Sequence, residues 1–362
     1  VGDVVSGELQ LLTASRLKAY RRCARYHEIR YERGYRVLVE DQALRLGSLF
    51  HVGLEAWWNF IRECGPHDNA LRAALAAVRA TSPLPDPFLL ARVEVLLEGY
   101  HGWWLDEAGA YEVLVVEAQF ETELINPLTG APSKTYRLAG KIDVIVRERA
   151  TGRVLLIEHK SSSEDIGVGT PYQRRLRLDG QISTYFAGGA ALGHDIAGCI
   201  YDVARKPAIQ PSQVPLVDAD GAKIVNGPDG QRVRTKDGKK WRESASAADG
   251  YVLQTRPETV DEFRARLREV LAAEPEKYFQ RIPIVRLEEE LLQHRLDMWA
   301  IAETLRDRRR AHQPKNVDAC MSYGRPCSFL DICSGSASLD DVTRFVRDEN
   351  PHVELQPAAS AA

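Results

Sequence analysis

Gly140-Lys141-Ile142-Asp143, then a turn at Thr151-Gly152, then Leu155-Leu156-Ile157-Glu158-His159-Lys160: these residues set two antiparallel β-strands side by side and load one end of them with charge. Glu158 and Lys160 are two apart, so both side chains leave the same face of the sheet. Asp143 falls on the neighbouring strand, where it can stand beside Glu158. Three aliphatic residues run straight into Glu158, which implies a strand buried on both faces with a carboxylate at its end. A buried charge needs a partner or a metal.

Upstream, residues 111–125 are β-branched and alternating and end in the turn Asn126-Pro127-Leu128-Thr129-Gly130. Residues 111–125, 136–148 and 153–159 thus form an antiparallel meander. Residues 181–192 have helical spacing, and 196–203 read as a buried strand. This order predicts an α/β core with helices on its faces.

The first hundred residues are helical. Thr13 or Ser15 caps a helix with Leu17, Tyr20, Ala24 and Tyr31 at three-to-four spacing. A second helix starts near Gly47 with the stripe Leu46, Phe50, Leu54, Trp57 and Ile61, and 69–80 and 87–107 are two more. Helices resume at 259–273 and 287–310. Residues 1–335 are read as one domain: a helical part over 13–108, the α/β core over 109–206, an insertion over 207–250, and C-terminal helices with a cysteine segment over 251–335. The insertion, with Asn226-Gly227-Pro228-Asp229-Gly230 and Lys236-Asp237-Gly238-Lys239-Lys240, is expected to be mobile and to hold at most a hairpin. Residues 336–362 are set apart as a tail that ends in disorder.

The 362 residues are 44% hydrophobic and 27% charged, the balance of a soluble globular protein. A net charge of -3 does not announce a nucleic-acid binder, although local basic surface decides that question. Arg16, Lys18, Arg21, Arg22 and Arg25 crowd the first helix; Arg174, Arg175 and Arg177 precede residue 181; Arg306, Arg308, Arg309 and Arg310 form a third run. No apolar run approaches the roughly 20 residues that span a bilayer, and no leader is evident, so a cytoplasmic protein without membrane contact is expected. In a reducing compartment the six cysteines suggest metal binding or burial rather than disulfides.

Two carboxylates and an ammonium at one sheet end suit a hard divalent cation such as Mg2+ or Mn2+. Such an ion polarises a phosphodiester and acidifies an attacking water, and a lysine can orient that water or neutralise charge on the phosphorane.

With these residues in hand, the chain resembles the RecB-type branch of the PD-(D/E)XK nucleases. Gly47-Ser48-Leu49-Phe50-His51 matches that branch's G-x-x-x-H, Gly140 to Asp143 its G-x-x-D, Glu158 to Lys160 its E-x-K, and Gln181-Ile182-Ser183-Thr184-Tyr185 its Q-x-x-x-Y, in the right order. Ile142 stands where proline is often found. The resemblance implies a restriction-endonuclease-like mixed sheet flanked by helices. It implies that His51, Asp143 and Glu158 ligate the metal, with the main-chain carbonyl of His159. Lys160 would be catalytic, and Gln181 and Tyr185 would position the site and the DNA strand. Glu117, on the first strand, would be an outer-shell residue only.

Cys23 in the first helix and Cys320, Cys327 and Cys333 near the far end resemble the iron–sulfur members of that branch, among them CRISPR-associated exonucleases and the AddB nuclease domain. There a [4Fe-4S] cluster joins the N- and C-terminal helical segments. The resemblance implies an exonuclease acting on single-stranded or end-exposed DNA in repair, recombination or CRISPR and phage DNA processing, with a helicase or recombination protein as partner. Ala24 follows Cys23 where proline is commoner, and six residues separate Cys320 from Cys327 where two are usual. Zinc is the rival occupant, and a catalytically silent DNA-binding or scaffold protein is the rival function.

Overall fold

The computed structural model describes residues 9–38, 42–307, 313–322 and 325–356. Arg308, Arg309, Arg310, residues 323–324 and the final stretch 357–362 lie outside the described residues.

Strand β1 (Gln10–Leu12) leads into α1 (Ala14–Arg22), capped by the Thr13 hydroxyl, which accepts from the Arg16 N–H at 3.1 Å. The continuous helix expected through Tyr31 is broken. Cys23 is extended (φ -165°, ψ 117°), and α2 (Ala24–His27), a π-helical turn over Glu28–Glu32 and β2 (Tyr35–Val37) follow. The break seats the Cys23 sulfur against the C-terminal part of the chain, where the Asn316 N–H donates to it at 3.3 Å.

Helices α3 (Gln42–Cys64), α4 (Asn69–Arg79) and α5 (Pro87–Ala108) stand where their apolar spacing placed them, and the stripe from Leu46 to Ile61 is buried throughout. Asp86 caps α5 by accepting from the N–H groups of Phe88 and Leu89. Next come β3 (Tyr111–Ile125), β4 (Pro132–Glu148) and β5 (Val154–Ser162), with β4 antiparallel to both neighbours, as the meander required. Helices α6 (Pro171–Leu176) and α7 (Gly180–Ala191) cross over to β6 (Ile196–Arg205), which pairs with β5 in parallel.

The insertion is more structured than its composition suggested. It holds β7 (Gln213–Pro215) and β8 (Val225–Asn226), and its strands pair with two just beyond residue 250, β8 with β9 (Val252–Leu253) and β7 with β10 (Thr255–Pro257). Helix α8 (Val260–Ala273) opens with a capping box between Thr259 and Glu262. Strand β11 (Phe279–Ile284), which the sequence did not announce, adds antiparallel to β6. It is an edge strand and so tolerates Pro283. With β1 parallel to the start of β4, the result is a mixed six-stranded sheet.

Helix α9 (Glu288–Arg306) precedes the short pair β12 (Met321–Ser322) and β13 (Arg325–Pro326), then α10 (Leu330–Ser334). Residues 336–356, set apart above as tail, are packed. Strand β14 (Phe345–Arg347) pairs with β2, and Leu339 and Phe345 bury against Ile29 and Phe329. Two large side chains suffice to hold a segment that shows no periodicity of its own.

The sheet is covered on both faces. Val144, Val146, Leu155 and Ile157 pack under α3, α4, α5 and α8. On the other side Ile145, Leu156, Tyr201 and Val203 meet Leu17 of α1, Ile182 and Tyr185 of α7, and Met298 and Ala302 of α9.

Helix α7 reaches the sheet over one ring, Phe120 of β3. A Cβ on Gly140 would stand 2.6 Å from that ring and 3.1 Å from the Tyr185 ring, and a Cβ on Gly188 would come closer still to Phe120. Gly188→Ala therefore lowers stability in urea unfolding by about 1–3 kcal/mol, the usual scale for overpacking. Phe120→Leu in the same chain should recover part of that loss; equal losses with and without it would show that the ring is not the obstacle.

Candidate active site

Strand register sets three carboxylates at one level. Val144 lies opposite Ile157, so Asp143 falls opposite Glu158. Val116 faces Val144 and Ala118 faces Ile142, which leaves Glu117 across from Asp143 on the other side. Helix α3 brings in His51, one turn beyond Gly47, with Nδ1 4.0 Å from Asp143 Oδ2. His51, Glu117 and Asp143 offer ligand atoms that all lie within 4.8 Å of one another, the only such group among the described residues. The expected trio was His51, Asp143 and Glu158. The structure gathers the first two with Glu117, which the sequence reading had kept at the periphery.

Glu117 is also the one non-glycine residue with positive φ, 52°, among the described residues. A backbone so held costs on the order of 1–3 kcal/mol and persists where surrounding structure enforces it. Glu158 is 2% exposed; one oxygen pairs with Lys160, and the other, Oε2, is buried with no hydrogen-bond partner. Asp143 Oδ2 accepts from the His159 N–H at 2.7 Å. Gln181 and Tyr185 meet as their spacing implied, the Gln181 amide donating to the Tyr185 hydroxyl at 2.8 Å.

Burial and the neighbouring Asp143 push Glu117 up to about 7 and Glu158 up to about 8. Lys141 pairs with Glu117 and Lys160 with Glu158, and each pulls against that rise. Burial would lower Lys160, but Glu158 and Asp143 outweigh it and hold the ammonium above the usual lysine range. Burial takes His51 down to about 4 against the pull of Asp143, so its imidazole is neutral and able to ligate at pH 7. Burial, then Glu158 and Asp143, raise Tyr185, which keeps its proton. An orphaned buried carboxylate oxygen, three crowded acids and a neutral imidazole fit a hard dication.

Of the basic residues expected to face a ligand, Arg16 does not. It is buried, donates to His27 and to the Leu11 carbonyl, and pairs with Glu32. Cys23, Cys320, Cys327 and Cys333 do come together, lining one cavity with Lys315 and Phe329, while Cys64 is exposed and Cys199 buried elsewhere. No helix of the described residues is long and apolar enough to cross a membrane.

A helix-flanked mixed sheet with acids and a lysine on adjacent strands is the arrangement of a metal-dependent phosphodiester hydrolase. Comparison with protein-family models matches residues 11–334 to the PD-(D/E)XK nuclease superfamily. The chain belongs to that superfamily, whose class of activity is metal-dependent nucleolytic hydrolysis with DNA as substrate. No curated protein matches it.

The crowded acids fix a pH dependence. With folded values of about 7 and 8 against 4.5 for a free glutamate, the folded state holds more protons than the unfolded one between about pH 4.5 and 8. The metal-free site therefore costs stability progressively as pH rises through that window. Thermal unfolding in chelator should show this loss, Glu158→Gln should flatten it, and Mn2+ should raise the melting temperature more near pH 8 than near pH 6. A metal effect that does not grow with pH would contradict the placement of these acids around the ion.

Proposed function

We propose that the chain is a RecB-type DNA exonuclease that uses Mg2+ or Mn2+ and carries a [4Fe-4S] cluster. The observation that carries the nuclease reading is the unpaired Oε2 of Glu158, buried opposite Asp143, which itself gathers with His51 and Glu117. His51, Glu117, Asp143 and Glu158 would hold the dication, which supplies charge to polarise a phosphodiester and acidify water. Lys160, kept protonated, is no general base; it donates to the water or to the phosphate oxygen on which charge grows. Gln181 and Tyr185 act as a hydrogen-bonded pair that presents a phenolic donor to the strand. Action on free ends, with a role in repair, recombination or CRISPR and phage DNA processing, follows the resemblance to the branch's iron–sulfur members.

Cluster rather than zinc follows the sequence pattern. Zinc ribbons bring two closely spaced cysteine pairs, whereas here Cys320, Cys327 and Cys333 group together and Cys23 is remote in sequence, and the four line one cavity of soft thiolates.

Asp143→Ala should abolish Mg2+-dependent degradation of end-labelled linear DNA, and Lys160→Ala should slow it by about 10²–10³-fold, both with the visible cluster absorption intact. Circular DNA should resist the wild-type enzyme; efficient cutting of circles would replace exonuclease by endonuclease. Anaerobically purified protein should contain iron and absorb visible light, and Cys327→Ser should lose both. Stoichiometric zinc in a colourless protein would assign the thiols to zinc.

A further inference from the structure

The insertion between β6 and α8 carries a cluster of cations at one hairpin. On α8, Arg264, Arg266 and Arg268 are each neutralised by a glutamate, Glu94, Glu258 and Glu98. Within the insertion, Arg234 bridges Trp241 across a short hairpin whose tip carries Lys236, Lys239 and Lys240. These three lysines are exposed and have no ion-pair partner among the described residues. The acid between them, Asp237, accepts from the Thr235 hydroxyl and the Lys239 N–H instead.

The arginines beneath the tip are ordered by aromatic rings. Arg232 and Arg234 lie 4.4 Å and 4.2 Å from the Trp241 ring centre, and Arg242 lies 4.1 Å from that of Tyr251. Arg232 is paired with Asp218 at 2.7 Å, whereas Arg234 and Arg242 have no ion-pair partner among the described residues; stacking fixes their guanidinium planes without consuming charge, and the planar fork is suited to phosphate. The segment also starts at the right place. Strands β5 and β6 run parallel, so the insertion leaves the sheet at the end toward which Glu158 and Lys160 lie. The Lys206 N–H donates to the Ser162 carbonyl at 2.7 Å, and Lys206 Nζ would stand 3.5 Å from a Cβ on Gly47, in the helix that carries His51.

We propose that this hairpin is a nucleic-acid anchor outside the catalytic site, holding the phosphate backbone of the DNA through Lys236, Lys239 and Lys240 over the arginine stack. The choice of DNA as occupant rests on the nuclease reading above. Lysine contacts of this kind bind without reading sequence and give a salt dependence of about 0.9 in log affinity per duplex phosphate neutralised.

The test uses the full chain carrying Asp143→Asn, so that DNA is bound without being cut, with and without Lys236→Gln, Lys239→Gln and Lys240→Gln together. Binding of labelled single-stranded and duplex oligonucleotides is followed by anisotropy across a salt series, with poly-glutamate and anionic vesicles as competing polyanions. The triple variant, folded by circular dichroism, should bind DNA about tenfold or more weakly, with a duplex salt slope shallower by about 2–3. Unchanged affinity and slope overturn the anchor while leaving the nuclease reading standing. A variant that loses poly-glutamate or vesicle binding but keeps DNA binding assigns the hairpin to another partner. A parent chain that neither binds nor cuts DNA overturns both.

Discussion

Asp143 is repelled by Glu117 on one side and by Glu158 on the other, and the sheet gives them no room to part. β4 holds the flanking strands β3 and β5 in fixed register, and burial penalises the charge of both glutamates. Two lysines offset part of this, Lys141 toward Glu117 and Lys160 toward Glu158. The remainder is compensated by protons or by a dication, since like charges this close cannot all ionise unaided. Other features follow from that crowding. Helix α3 supplies a neutral imidazole rather than another charge. The close approach of Gly140 and Gly188 to Phe120 lets α7 bring Gln181 and Tyr185 over the same spot.

Behind the acids stands a second buried charge, and it is fully paired. Asp202 lies opposite His159 across the parallel pair β5–β6, accepts from the Tyr100 hydroxyl at 2.6 Å and pairs with Arg281 at 3.1 Å. Burial would raise its carboxyl, but Arg281 and His159 outweigh it and hold it below the usual range. Arg281 also reaches Glu107 at 2.8 Å and stacks 4.3 Å from the Trp104 ring centre. Breaking such a pair costs about 3–5 kcal/mol, because the remaining charge is stranded. His159 Nδ1 approaches Asp202 Oδ2 to 3.4 Å without a hydrogen bond, while the His159 N–H holds Asp143. The crowded acids and the Asp202–Arg281 pair are thus stacked back to back, one set frustrated and the other satisfied.

What the sequence disclosed was whatever local period or spacing encodes. The stripe on α3, the β3–β5 meander, the placement of Asp143 beside Glu158 and the reach of Gln181 to Tyr185 all follow from repeats of 3.6 or 2. Glu117 did not follow, because its place depends on register shifts between Val113 and Val115 and between Glu123 and Ile125, which no turn signal reports. The break at Cys23 was hidden for a similar reason. Leu17, Tyr20 and Ala24 suit one continuous helix, and at the break Cys23 meets Asn316, a residue nearly three hundred positions away. Strand β11 was hidden by Arg281 and Pro283: the arginine is tolerated because Asp202 awaits it, and the proline because no strand lies beyond it among the described residues. Non-local charge pairs are invisible to a reading built on periodicity.

The two donor sets divide the periodic table between them. His51 and the carboxylates offer hard oxygen and imidazole nitrogen in a site partly open to solvent; the cysteine cavity offers soft sulfur. Ions that suit one are poor occupants of the other, so both can be filled in one chain without exchange. Their positions in the fold divide as well. The acids lie on consecutive strands and are brought together by hairpins, whereas the thiols come from α1's end and from beyond residue 319, so a shared occupant would close nearly the whole chain into a loop. The entropy removed by such a closure grows with the logarithm of its length. A tie at that position would therefore stabilise the domain without touching the acids, and its loss would release the chain ends before disturbing the strand registers that hold them.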